Sequence, residues 1–165
     1  MSKLIISIII AFSLGWLAST TLAQAPVVEQ AQERISIFAD APDVPGPADV
    51  LLDNDVHVLP NKVEILQAGI IPAVFEDTNS MAPVLDTQTL ALELTITDPS
   101  QVQVGDIVSY ETPLAPGAFI VHRVVEIGTD DDGWYAVMKG DNLQTTDPGK
   151  VREDQLRRKV IGSLY

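Results

Sequence analysis

The stretch Asp77-Thr78-Asn79-Ser80-Met81-Ala82-Pro83 decides how the rest of the chain is read. Most of it is small and polar, which suits a turn, and it lies between two apolar runs, residues 69–75 and 84–94. A serine on a tight turn at a strand end is held out from the backbone, where its hydroxyl can serve as a nucleophile. The same Asn-Ser pair also forms turns for purely local reasons, with the hydroxyl bonded to its own backbone. To react, the hydroxyl needs a base within hydrogen-bond reach and donors for a developing oxyanion. Downstream the chain offers a base, His122 in Phe119-Ile120-Val121-His122-Arg123-Val124, and an orienting carboxylate in Lys139-Gly140-Asp141-Asn142.

Outward from the turn, short apolar runs alternate with turn residues. Residues 62–66, 70–76, 89–96, 106–111, 118–127, 134–139 and 159–164 each read as a strand, rich in Val, Ile and aromatics between Gly, Pro, Asp or Asn. Asp132-Gly133 marks a hairpin, because glycine accepts the positive φ that such turns require. Helical period is confined to a turn or two over 151–158. The expected body, residues 61–165, is therefore mainly β, a small, coiled, partly closed sheet. Alternation along the 118–127 strand puts Ile120, His122, Val124 and Glu126 on one face and turns Arg123 the other way, toward an acid.

Before the body, residues 24–60 read as an acidic, proline-containing tether with a single base, Arg34. His57, near its end, has no motif around it and reads as a surface histidine. Residues 4–23 carry no charge, and twenty residues at about 1.5 Å each match a hydrocarbon core of about 30 Å. Lys3 in front and acids behind orient the N-terminus inside and the body outside. Two readings of residues 1–23 stand: an uncleaved anchor, or a secretory signal cut near Ala23-Gln24-Ala25. Both export the body.

The formal net charge of −13 excludes nucleic acid as a partner, since phosphate is bound by basic patches. The absence of cysteine removes thiol nucleophiles, Cys-based zinc sites and disulfides. Asp130-Asp131-Asp132-Gly133 lacks the downstream glutamate of a calcium loop and reads as a hairpin turn.

Taken in order, four boxes carry a family resemblance. Ser80-Met81-Ala82-Pro83 resembles the Ser-Met-x-Pro box of type I signal peptidases, and Gly105-Asp106-Ile107-Val108 their Gly-Asp-Ile-Val strand. Val121-His122-Arg123-Val124 resembles the archaeal and endoplasmic-reticulum branch, where histidine stands in place of the bacterial lysine. Lys139-Gly140-Asp141-Asn142, followed by Asp147, resembles the closing box. The resemblance spans residues 77–165. It implies a signal-peptidase-like β domain behind an N-terminal transmembrane helix, single-pass in the cell membrane with the domain outside, and so favours the anchor reading.

The implied activity is that of a serine endopeptidase cutting signal peptides from exported preproteins through an acyl-enzyme, with no metal or cofactor. Ser80 would be the nucleophile and His122 the base, with Asp141 favoured over Asp147 as the carboxylate behind it. Thr78 would help at the oxyanion, and Met81 would touch substrate. The commonest family form has Ser-Gly-Ser where this chain has Thr78-Asn79-Ser80. That departure, with the long tether, motivates an alternative: an exported β domain of the same fold that binds extended peptides without cutting them. A repressor-like autoprotease is disfavoured, because nothing in this chain binds DNA and that group uses lysine.

Overall fold

The structure is a computed structural model and describes residues 43–165. The segment expected to enter a bilayer, residues 4–23, and most of the expected tether lie outside the described residues. Among the described residues no helix is long and apolar enough to cross a membrane.

The protein is mainly β, as its alternating runs require. Among the described residues nine strands follow in order: β1 (Val56–Leu59), β2 (Lys62–Ile65), β3 (Ile71–Ala73), β4 (Leu90–Thr95), β5 (Ile107–Glu111), β6 (Phe119–Asp130), β7 (Gly133–Lys139), β8 (Val151–Arg152) and β9 (Leu156–Leu164). Strands β1 and β2 form a separate hairpin. The other seven make one sheet in the order β3-β4-β9-β5-β6-β7-β8, every pair antiparallel. The turn expected at 151–158 is a single 3-10 turn, Glu153–Gln155, between β8 and β9. It is shorter than expected because Leu156 already enters the sheet opposite Tyr110.

Period-two alternation divides the core in two. Val108, Tyr110, Val124, Ala136, Met138, Val151 and Leu156 pack on one face. Ile107, Ala91 and Val160 pack on the other with Met81 and Leu85, and Val121 lies against them. Neighbours in sequence thus serve opposite cores: Ile107 one and Val108 the other. A bulge between Val124 and Glu126 takes Val125 out of register and lets β6 run on to the Asp131-Asp132 turn.

The body begins earlier than the expected boundary at residue 61. Residues 56–59 are β1, and Ala48 N–H donates to Asp106 Oδ1 at 2.8 Å. Asp106 is fully buried; it also accepts from Gln103 N–H at 2.9 Å and faces Lys159 Nζ at 3.4 Å. Its partner in the turn, Gly105, has φ +100°, and a Cβ there would run into the Gly46 carbonyl. The aspartate that reads as part of a motif therefore ties an extended, proline-flanked segment to the sheet. Composition alone cannot show that tie.

The basic C-terminal end is consumed by the sheet itself. Lys150 and Arg152 close on Asp130, Arg157 on Glu111, Arg158 on Glu93 and Lys159 on Asp106. Of these, Glu93 is 2% exposed, and burial raises its carboxyl above the ordinary glutamate value despite Arg158 at 3.4 Å. A raised folded value means that Glu93 favours the fold while protonated, and that this contribution is lost as pH rises through the carboxylate range. Glu93→Gln should therefore raise the melting temperature at pH 7 by about 2–5 °C. The gap should close as pH falls below the ordinary glutamate range. Equal gaps at pH 7 and pH 4 in thermal denaturation would contradict a burial cost at this carboxylate.

Candidate active site

Strand β6 places His122 and Arg123 next to each other and on opposite faces of the sheet. Each finds its own carboxylate in the segment that follows β7. His122 Nδ1 meets Asp147 Oδ2 at 2.5 Å, and both side chains are largely buried. The same oxygen accepts a hydrogen bond from the Tyr110 hydroxyl at 2.7 Å. Arg123 forks onto Asp141, Nε to Oδ1 and Nη2 to Oδ2, both at 2.7 Å, and donates from Nη1 to the Gly105 carbonyl at 2.7 Å. The acid beside the imidazole is thus Asp147, where sequence favoured Asp141.

The reason lies in the register. Lys139 pairs with Arg123 at the end of the β6–β7 ladder, and Asp141, two residues on, lies within reach of the Arg123 guanidinium. Arg123 itself was expected on the face away from His122, paired with an acid, and it is.

The serine turn lies against the same segment. Asn142 N–H donates to the Ser80 carbonyl at 2.9 Å, and Asn142 Nδ2 donates to the Asn79 carbonyl at 3.0 Å. A Cβ on Gly140 would lie 2.6 Å from the Ser80 carbonyl oxygen. The missing side chain of Gly140 thus leaves the space that the Ser80 carbonyl occupies. Met81 turns away into the second core at 5% exposure, and its Sδ accepts the Asp141 N–H at 3.4 Å. Expected to touch substrate, Met81 is instead a buried anchor of the turn.

Asn79 has φ +55°, the left-handed conformation that glycine takes freely and asparagine best tolerates among the other residues. The chain's departure from Ser-Gly-Ser therefore keeps a residue suited to that backbone. Ser80 Oγ lies 3.1 Å from Thr78 Oγ1, which also receives the Ser80 N–H at 3.4 Å. Among the described residues no hydrogen bond joins Ser80 Oγ to His122. His57, the other histidine, is on exposed β1, with Nε2 3.1 Å from the Asn54 carbonyl.

Burial by itself would raise the Asp147 carboxyl, but hydrogen bonds from His122 and Tyr110 outweigh it and hold the group below the ordinary aspartate value. The pair is therefore a carboxylate facing an imidazole. Sequence reasoning missed Tyr110 and Asn142. A tyrosine at the alternating position of β5 that shares a face with Val108, the residue opposite His122, was the signal available. No group of three or more His, Asp or Glu side chains converges among the described residues, and Asp130 and Asp132 are taken up by Lys150 and Arg152.

The chain is similar to Signal peptidase I W of Bacillus subtilis (strain 168), 31% identical over an alignment of 101 residues that covers 58% of this chain and 52% of that protein. It thus spans about half the length of the curated relative it matches. No family model matches the sequence. No solved structure matches the chain. At the level of the family, the likeness supports a peptidase of the signal peptidase I kind.

Gly140→Ala should force the Ser80 carbonyl aside, because the contact is with backbone and cannot be relieved by a rotamer. The expected cost is about 1–3 kcal/mol in denaturant unfolding, with shifted amide resonances at Ser80 and Asn142. A variant of wild-type stability with both amides undisturbed would contradict the packing described.

Proposed function

We propose that this protein is a membrane-anchored serine endopeptidase of the type I signal peptidase kind, in the branch that uses histidine as base. The observation that carries the reading is the buried His122–Asp147 pair at 2.5 Å, with the Ser80 carbonyl held by Asn142 of the segment that also supplies Asp147. The likeness to a signal peptidase I adds independent support.

In this reading Nδ1–H of His122 points at Asp147, which fixes the tautomer and leaves Nε2 with its lone pair free. For the reaction, Ser80 Oγ leaves Thr78 Oγ1 and engages Nε2. The imidazole accepts the serine proton as Oγ attacks the scissile carbonyl, then returns it to the departing amine. Asp147 stabilises the imidazolium between those steps. The Ser80 N–H and the freed Thr78 hydroxyl donate to the oxyanion. Water then enters, activated by the same imidazole, and releases the acyl group. Asp141 takes no part in proton transfer; it fixes Arg123 and the segment behind the serine turn.

Substrates are exported preproteins presented in extended form with small residues before the cut, delivered to a domain that residues 4–23 hold at the outer membrane face. The test is cleavage of a preprotein by the full chain in detergent. Wild type should cut, while Ser80→Ala and His122→Gln should each lose about 10³-fold or more in kcat. Cleavage that survives Ser80→Ala would overturn the reading. Saturable binding of the extended segment without cutting would favour the peptide-binding alternative, which the Oγ–Thr78 contact also accommodates.

A further inference from the structure

The loop that carries Asp147 is exposed on both sides of it. Its backbone is tied beside the carboxylate by one bond, Asp147 N–H to the Met138 carbonyl at 2.8 Å. A side chain so placed has rotamers open to it, and the His122 ring alone does not select one. The second constraint comes from β5. Tyr110 is 4% exposed, its ring is packed in the first core, and its hydroxyl donates to the oxygen that faces the imidazole.

We propose that Tyr110 is a positioning residue: it clamps Asp147 Oδ2 against His122 Nδ1 and keeps that oxygen a hydrogen-bond acceptor through the catalytic cycle. This rests on the proposed Ser-His reading, and it assigns a role to a residue outside the serine, histidine and aspartate. The geometry follows from register. Tyr110 pairs with Ile120 and Val108 with His122, so Tyr110 and His122 are diagonal neighbours on one face, about 7–8 Å apart at Cα and within reach of a phenol. The groups facing Asp147 are Tyr110 from β5 and His122 from β6. Val124 and Met138 on that face are apolar, and Arg123, Lys139 and Asp141 belong to the other face.

His122 changes charge in each half-reaction, so its bond to Asp147 changes strength. The Tyr110 donor does not. Burial, and next the Asp147 carboxylate, push the phenol above its ordinary value, so the proton stays on the tyrosine throughout the working range. Two donors on one oxygen also favour the ionised carboxylate, the form an imidazolium needs.

The test is Tyr110→Phe in the full chain, which removes one oxygen and keeps the ring in the core. Three readouts are taken. First, in carboxyl-labelled protein, the Asp147 titration should move up toward the ordinary aspartate range. Second, in a His57→Gln background that leaves one histidine, the His122 Nδ1–H resonance should exchange faster with solvent. Third, kcat should fall about tenfold or more with KM unchanged, and the same substitution should cost nothing further in Asp147→Asn.

An unmoved Asp147 titration, or an equal loss in both backgrounds, would overturn the clamp. A wild-type chain that cuts nothing would sink the proposed function, yet the titration and the exchange rate would still decide the role of Tyr110.

Discussion

Everything at this site depends on one constraint: adjacent residues of a strand face opposite ways. His122 and Arg123 both need an anion, and no single carboxylate can serve both. The chain answers with one segment that carries two acids six residues apart, Asp141 on one face of β6 and Asp147 on the other. To reach both, the segment must wrap around the end of the β6–β7 pair. In doing so it offers its backbone to the serine turn, through Asn142 and the bare Cα of Gly140. Each residue of Gly140-Asp141-Asn142 thus has a separate mechanical task. Gly140 makes room for the Ser80 carbonyl, Asp141 locks Arg123, and Asn142 holds two carbonyls of the turn.

The same logic governs charge. A chain at −13 gains from keeping its few cations close to its acids, and β8 and β9 carry the bases that neutralise acids of β4, β5 and β6. The exposed pairs contribute little each. The buried carboxylates Glu93 and Asp106 are another matter, because an unpaired charge at such depth would cost several kcal/mol. The last strand, through Arg158 and Lys159, therefore acts as a counter-ion for the sheet as well as a member of it.

Much of this was legible in the sequence. The strands were visible from their Val, Ile and aromatic alternation, and the two faces of β6 from its period of two. The less legible parts share a cause: they depend on pairing between distant segments. Asp141 and Asp147 both sit in good turn sequences, and only the Arg123–Lys139 register assigns them to faces. Strand β8 is two residues long and carries no pattern. The tie from Ala48 to Asp106 joins residues 58 apart. Met81 reads equally well as a contact or as an anchor until the second core is seen around it. Asn79 is the converse case, where a local conformational preference explains an unusual residue once φ is known.

The site is preorganised in its costly part and open in its cheap part. The imidazole and its carboxylate are joined by a part-buried bond, while the Ser80 hydroxyl rests on Thr78 at the exposed turn, and in the proposed reading the step that remains is its transfer to the imidazole. The most direct measurement of that arrangement is covalent labelling of the folded full chain with a peptidyl fluorophosphonate, followed by intact mass and peptide mapping. A single stoichiometric adduct on Ser80, forming about 100-fold or more slowly in His122→Gln, is the predicted result. An unlabelled folded chain, or an adduct on Ser80 whose rate ignores His122, would contradict the account.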